Sequence, residues 1–414
     1  MPGTTKTRLI PLLGRYNAAD LQRRFTEMTV GKAKKVRQKK RLDIQFCFEG
    51  GNEHKLKSWL GKDILYSSQE NADLGTRMQV AFEMAFQEGC QHVLLLGTDI
   101  PGFHADHLRN AFEALDHYDV VLGPSTDGGY WLIGLKRPIN LFKDVVWSTK
   151  KVREQTLSIA QARSLEVFEF KALTDIDTID DLKKWDESAI IPGPYISIII
   201  PTLNEEDNIQ KTIENVRDEE VEIIVVDGGS QDRTVDLARE AGVDVINSQT
   251  GRARQQNQGA LSARGKVFLF LHADTVMPEG YIDYIYEALM DPSVLMGAFR
   301  FKTDVQDTAM RIIEWLTNLR SSYLKLPYGD QAFFIRKESF EKMGGFPEVA
   351  IAEDLYFARQ ASKKGRVVTL PNPIITSARR WRNLGLFRVT LINFIIALGC
   401  YLRVSPDRLA KLYE

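Results

Sequence analysis

The sequence predicts an α/β protein of two layered domains in tandem, and three observations carry that prediction. Strand-like apolar runs alternate with helix-like amphipathic ones along all 414 residues, a length beyond one ordinary domain. The stretch "WDESAIIPGPY", 185–195, sets two prolines around a glycine just ahead of a new apolar strand, as at a domain boundary. A buried strand stops at an aspartate once in each half: "HVLLLGTDIP" reaches Asp99 and "KVFLFLHADT" reaches Asp274. The expected layout is a first domain over 1–186, a linker over 187–194 and a second domain over 195–414.

The elements follow in order. In the first half, short apolar runs predict strands over 42–48, 93–98 and 119–123, and amphipathic spacing predicts helices over 18–28, 74–88 and 106–116. In the second half the strands fall at 196–200, 222–226, 243–247 and 267–271, with helices over 205–217, 231–241 and 253–263. Runs of unbroken apolar residues suit strands buried on both faces of mostly parallel sheets. The basic run Lys32 to Arg41 reads as the solvated end of a helix, because no aromatics are interleaved with its charges. His104 and His107 read as a solvated helix start. Val389 to Leu402 carries no charge and is shorter than the roughly 17 to 25 residues that span a bilayer. Two readings of it stay open: a core or dimer helix, or a peripheral membrane segment with Arg379, Arg380 and Arg382 on lipid phosphates.

Composition narrows the function classes. Hydrophobic residues make up 44%, ample for full cores, and a formal net charge of −1 gives no global attraction to nucleic acid. Cys47, Cys90 and Cys400 lie far apart with no CxxC pair, which fits a reducing, cytoplasmic setting and no structural zinc. "MPGTTKTRLI" has no long apolar core of the kind a signal peptide needs.

The second half gathers carboxylates at strand ends. "ISIIIPTLNEEDNI" runs a strand into Pro201, Asn204 and Glu205, and "EIIVVDGGSQDRT" runs another into Asp227, Gly228, Gly229 and Asp232. In an open α/β sheet, ligands sit outside the carboxyl ends of the strands. The two glycines let a ligand approach the backbone closely. Several carboxylates on one rim repel each other unless a cation sits among them. A Mg²⁺ or Mn²⁺ ion carrying a diphosphate meets that need, since hard oxygen ligands favour these ions over zinc.

These stretches, with "TGRARQQNQGA", "GDQAFFIRKESFEKMGGFPE" and "AEDLYFARQ", closely resemble the family 2 glycosyltransferases over about 195–380. The resemblance implies the nucleotide-diphospho-sugar transferase (GT-A type) fold and a nucleoside-diphosphate sugar donor. It implies nucleotide-sugar contacts from Pro201, Asn204, Glu205, Asp227, Gly228, Arg252, Asn257 and Asp274. It makes Asp274 the metal-binding end of an Asp-x-Asp element and Asp354 the catalytic base. His272 stands where that element usually begins with Asp. A neutral imidazole ligates Mn²⁺ but is a poor Mg²⁺ ligand; His272 therefore reads either as a Mn²⁺ ligand or as a hydrogen-bonding partner of the ribose or a neighbour. The implied reaction is sugar transfer with inversion to a small or lipid-like hydroxyl acceptor.

The first half offers "PGTTKTRLIPLLG", a small-residue loop with Lys6 and Arg8, then "HVLLLGTDIPGF", "DVVLGPSTDGGYWLIGL" and "LTDIDTIDDLKKW". Over roughly 1–186 this set resembles a family related to nucleotidyltransferases, including the guanylyltransferases of cofactor biosynthesis (CofC-like). The resemblance implies that Lys6 and Arg8 face triphosphate, that Asp99 and Asp177 hold metal, and that Asp127 lines the sugar side. Members open with a strand ahead of the Pro-Gly loop. Met1 falls almost at the loop, so the expectation is a sheet lacking its first central strand, with Val93–Leu96 unpaired on one side and Lys6 and Arg8 poorly positioned. The fused pair resembles transferases 1 and 2 associated with radical-SAM and selenodomain proteins, a family linked to arsenosugar biosynthesis. The first half is expected to form or hold the activated donor. Two other readings remain: a nucleotidyltransferase whose second half only binds product, or two non-catalytic nucleotide-sugar modules.

Overall fold

A computed structural model describes residues 1–185, 193–305, 307–402 and 404–410. The chain divides into two compact units, Met1–Pro192 and Gly193–Glu414. Most of the expected linker lies outside the described residues.

The described residues of the N-terminal unit form six strands: β1 Gln45–Phe48, β2 Leu65–Ser68, β3 Val93–Leu96, β4 Val120–Pro124, β5 Tyr130–Leu135 and β6 Val167–Glu169. They form two sheets. One pairs β1 with β2 in parallel; the other runs β3-β5-β4-β6, with β5 antiparallel to both its neighbours. The mostly parallel expectation is therefore only partly met in this unit. Among the described residues β3 is laddered to β5 alone and β1 to β2 alone, so each keeps one unpaired edge. The basic run ends the helix Arg15–Arg37, where Lys34 and Arg37 bond Asp63. One core cluster joins Val36, Phe103, Leu108 and Trp131, with the Phe103 and Trp131 rings stacked at 5.3 Å.

The C-terminal unit is built on β7 Ile196–Thr202, β8 Val221–Asp227, β9 Asp244–Asn247, β10 Val267–Phe270, β11 Thr275–Val276, β12 Val294–Arg300, β13 Phe333–Arg336, β14 Arg366–Pro373 and β15 Ile375–Thr376. Seven of these form one sheet in the order β14-β12-β13-β10-β7-β8-β9. The half from β10 to β9 is parallel, as its apolar runs imply, while β13 is antiparallel to β10 and β12. Ile199, Val226, Phe270, Phe333 and Phe357 pack one face of this sheet. The two-stranded ladder of β11 with β15 draws the segment after Thr376 alongside Asp274, whose carbonyl accepts the Ser377 N–H at 3.2 Å. The uncharged stretch near the C-terminus is the helix Leu386–Tyr401. No helix among the described residues is long and apolar enough to cross a membrane.

Candidate active site in the C-terminal unit

A cavity of about 1190 Å³ opens where β7 and β10 end. Its walls hold Pro201, Glu205, Arg252, Asp274 and Asp354 of the sequence-derived set. Asp274 lies just beyond β10, and its neighbouring Ala273 carbonyl is fixed by the Thr212 hydroxyl at 2.6 Å. Burial raises the Asp274 pKa above the usual carboxylate value, and the Glu205 charge adds to the effect. Arg379 opposes the rise, but its guanidinium is bonded to Glu205, at 2.7 Å. Asp274 is thus a half-buried carboxylate with no cation bonded directly to it among the described residues.

Asp354 stands in the first turn of the helix Glu353–Lys364. Its two oxygens each accept a backbone N–H at 2.7 Å, from Gly329 and from Leu355. The helix starts from Ala352 at φ 64°, a left-handed conformation that a residue with a Cβ adopts at a cost. The absence of a side chain at 329 matters as well. A Cβ there would come within 3.2 Å of Asp354 Oδ2 and 3.4 Å of His272 Nε2. His272 therefore faces the carboxylate Asp354 across Gly329. Burial, then the Asp354 charge, raises the Glu353 pKa, and Arg252 lies 3.8 Å from its carboxylate.

Asp330 and Arg379 also line this cleft, and sequence reasoning missed both as site residues. Burial pushes the Asp330 carboxyl up to about 6, against the opposing charge of Arg320. Its Oδ1 has no hydrogen-bond partner among the described residues. The "GDQ" stretch that holds it was legible, but its depth was not. Arg379 arrives from a segment far along the chain, through the ladder of β11 with β15.

The remaining predicted residues lie outside the cleft wall, where they build its loops. Asp227 is buried and accepts the N–H groups of Gly229 at 2.9 Å and Ser230 at 3.0 Å. Asn204, at φ 56°, binds the same turn: its N–H donates to Ser230 Oγ and its Oδ1 accepts from Gln231. Gly228 backs onto Gln255, whose amide donates to the Thr202 and Val226 carbonyls at 2.9 and 2.8 Å. Asn257 clasps the Phe346 backbone through both its N–H and carbonyl, each at 2.8 Å.

In the N-terminal unit the structure brings Lys6, Arg8, Asp99 and Asp177 together. Lys6 was expected to face a triphosphate in a poorly positioned loop. Its ammonium is buried, 2.7 Å from Asp177 and 3.5 Å from Asp99, and Arg8 lies 3.7 Å from Asp177. Unscreened carboxylates attract the nearest cation the chain supplies. Asp127 accepts the Gly129 N–H at 2.9 Å. Asp175, which the sequence reading did not single out, has its pKa raised to about 6 by burial and then by Asp127, Asp177 and Asp99. His104 caps its helix, its N–H donating to His107 Nδ1. Among the described residues of either unit, no three His, Cys, Asp or Glu side chains are grouped so as to hold a metal ion.

Known proteins are similar to each half. Residues 32–149 match the family described as "Uncharacterized protein conserved in bacteria (DUF2064)", and residues 197–344 match "Glycosyl transferase family 2". The chain is 26% identical over 200 residues to glycosyltransferase AglE of Haloferax volcanii, covering 44% of this chain and 66% of that protein. It is 27% identical over 201 residues to YdaM of Bacillus subtilis, classed as a glycosyltransferase, covering 42% of this chain and 48% of the relative. The chain thus spans between about half and two thirds of these curated relatives. A solved structure from Desulfovibrio desulfuricans G20, classed as a nucleotide-diphospho-sugar transferase, is 33% identical, with a TM-score of 0.42, over 45% of this chain and 82% of that one.

Proposed function

We propose, from the match of residues 197–344 to glycosyl transferase family 2 and of the region ahead of it to DUF2064, that the chain moves a sugar from a nucleoside-diphosphate sugar to a hydroxyl acceptor, with inversion. The observation that carries this reading is the meeting of Asp274, Asp354 and the cationic Arg252 in one cavity of about 1190 Å³, room for a donor and an acceptor together.

Asp354 serves as general base. Its two backbone N–H bonds fix the carboxylate, and each oxygen keeps a lone pair for the acceptor proton. The acceptor oxygen then attacks the anomeric carbon as the diphosphate leaves, and a single displacement inverts the centre. Arg252 and Arg254, both in the cleft wall, bind the diphosphate. Asp274 suits a divalent cation: it is a half-buried carboxylate beside Glu205 with, among the described residues, no directly bonded cation of its own. Asp274 would hold Mg²⁺ or Mn²⁺ jointly with the diphosphate, as such ions are commonly held by one or two carboxylates plus phosphate oxygens. When bound, the ion offsets charge on the departing diphosphate. His272 faces Asp354 across Gly329 and orients the acceptor or the ribose. The N-terminal unit forms or holds the activated donor, with Lys6, Arg8, Asp99, Asp127 and Asp177 as its contacts. The acceptor is a small or lipid-like alcohol, and the unpaired cysteines suit a cytoplasmic setting.

The test is to incubate the full chain with Mn²⁺ and a panel of nucleoside-diphosphate sugars and alcohols, following the anomeric proton by NMR. Transfer with inverted configuration is expected; a retained configuration overturns the single displacement.

A further inference from the structure

Two helices of the C-terminal unit turn apolar side chains to solvent with the same spacing. On the helix Thr308–Leu324 the exposed apolar positions include Ile312, Trp315, Leu316, Leu319 and Tyr323, with Leu324 exposed beside them at the helix end. On the helix Leu386–Tyr401 and its cap they are Leu391, Phe394, Ile395, Leu398 and Leu402. Both sets fall at i, i+3, i+4, i+7 and i+11, a single stripe of an α-helix. Trp315 is 58% exposed and Phe394 64%. Stripes of this kind normally face a core, and when exposed they mark an interaction surface. The helices are neighbours through their flanks. Asp304, ahead of the first, accepts the Ala378 N–H at 2.8 Å and an Arg382 N–H at 3.1 Å. Leu326 and Tyr328, beyond its end, pack in one cluster with Ile396 and Cys400.

The acidic groups beside the stripes are engaged: Asp304 accepts from Ala378 and Arg382, and Asp307 accepts the Met310 N–H. Glu314 is the acidic residue of the first helix, and its carboxylate is taken up by the Thr303 N–H and hydroxyl, both at 2.8 Å. Arg311 and Lys325 stand exposed near the helix ends. Residues 377–410 carry six arginines against one acidic residue, Asp407; of the six, Arg379 is paired with Glu205 in the cleft and Arg382 with Asp304. Arg382 and Arg388 among them are exposed.

We propose that the two stripes dock the protein on an anionic lipid bilayer, lying in its interface without crossing it. The rim charge decides between partners. A second copy would set basic rim against basic rim, whereas anionic headgroups pair with it and the apolar side chains enter the acyl boundary. Trp315 and Tyr323 suit that depth, apolar in body and polar at the tip. The inner side of the helix Leu386–Tyr401 lines the cleft with Asn393 and Ile396, so docking brings the cleft beside lipid-borne hydroxyls. Neither stripe contains a residue assigned to the transfer reaction.

Sedimentation of the full chain with vesicles tests this. Binding to phosphatidylglycerol–phosphatidylcholine vesicles is expected, weaker on phosphatidylcholine alone and weaker at high salt. Trp315→Ser with Phe394→Ser should lower the partition coefficient about tenfold or more. Arg388→Gln should reduce only the salt-sensitive part, and nucleoside diphosphate binding should be unchanged in every variant. Absent binding to the anionic vesicles, or binding unaltered in the double variant, overturns the proposal. So does a lipid-free dimer that the double variant splits, which would assign the stripes to a second copy.

Discussion

Asp274 and Asp354 share one cleft and are set for different work by what surrounds each. Asp354 is fixed by two backbone N–H groups; Asp274 is half-buried beside another carboxylate. Asp274→Asn removes the charge but keeps the shape, so Mn²⁺-dependent binding of a nucleoside diphosphate should weaken by at least tenfold, about 1.4 kcal/mol, in calorimetry, while metal-free binding changes little. Asp330 gives a pH signature. Its pKa is raised by burial to about 6. A carboxyl with a raised folded-state pKa contributes stability that is present below its unfolded value, about 3.9, and is lost as pH rises through the folded one. Asp330→Asn should therefore stabilise the unit at pH 8, by up to about 3 kcal/mol, with little effect at pH 4. Thermal unfolding at the two pH values checks it; equal effects at both would remove the buried-charge explanation.

At the scale of elements, the parallel half of the C-terminal sheet is tied at its lower end by one carboxylate. Glu222 of β8 accepts the Ser197 hydroxyl of β7 at 2.6 Å and both the backbone and side chain of Arg264, at 2.9 and 2.6 Å. Burial works to raise its pKa, but these hydrogen bonds and the Arg264 charge hold it lowered. A lowered carboxylate contributes stability above its unfolded value, about 4.3, that is lost as pH falls through the folded one. Glu222→Gln should cost about 1–3 kcal/mol at pH 7, with the deficit shrinking in acid. Urea unfolding at pH 7 and pH 3 reads both.

The strands of that parallel half were legible because β7, β8 and β10 are mainly apolar runs, broken early by Ser197 and Glu222 in the first two, that end in turn residues. β5, β12 and β13 were not, since a short apolar run fits a helix or a strand and antiparallel insertion depends on its partners. The helix Thr308–Leu324 also escaped, although Asp307 caps it by accepting the Met310 N–H at 2.7 Å. Among site residues, motif positions such as Glu205, Arg252, Asp274 and Asp354 could be named from the chain and do line one cavity. Asn204, Asp227, Gly228 and Asn257 share those motifs but bond loop backbone, a distinction that hydrogen-bond partners make and spacing does not. Arg379 meets Glu205 only because a two-stranded ladder carries it there.

At the scale of the whole molecule, two units with separate cores carry two clusters of charge. In the N-terminal unit Lys6 itself neutralises Asp177. Among the described residues Asp274 in the C-terminal cleft has no such partner, a contrast that supports our proposal of the transfer step in the second unit. Turnover and donor affinity measured together, on the full chain carrying Asp354→Asn, test that assignment most directly. A general base typically contributes about 10² to 10⁴-fold, so transfer should fall by that factor while the affinity for the nucleoside-diphosphate sugar stays within about twofold of the parent. Transfer at the parental rate, or equal losses in rate and donor affinity, would contradict the account.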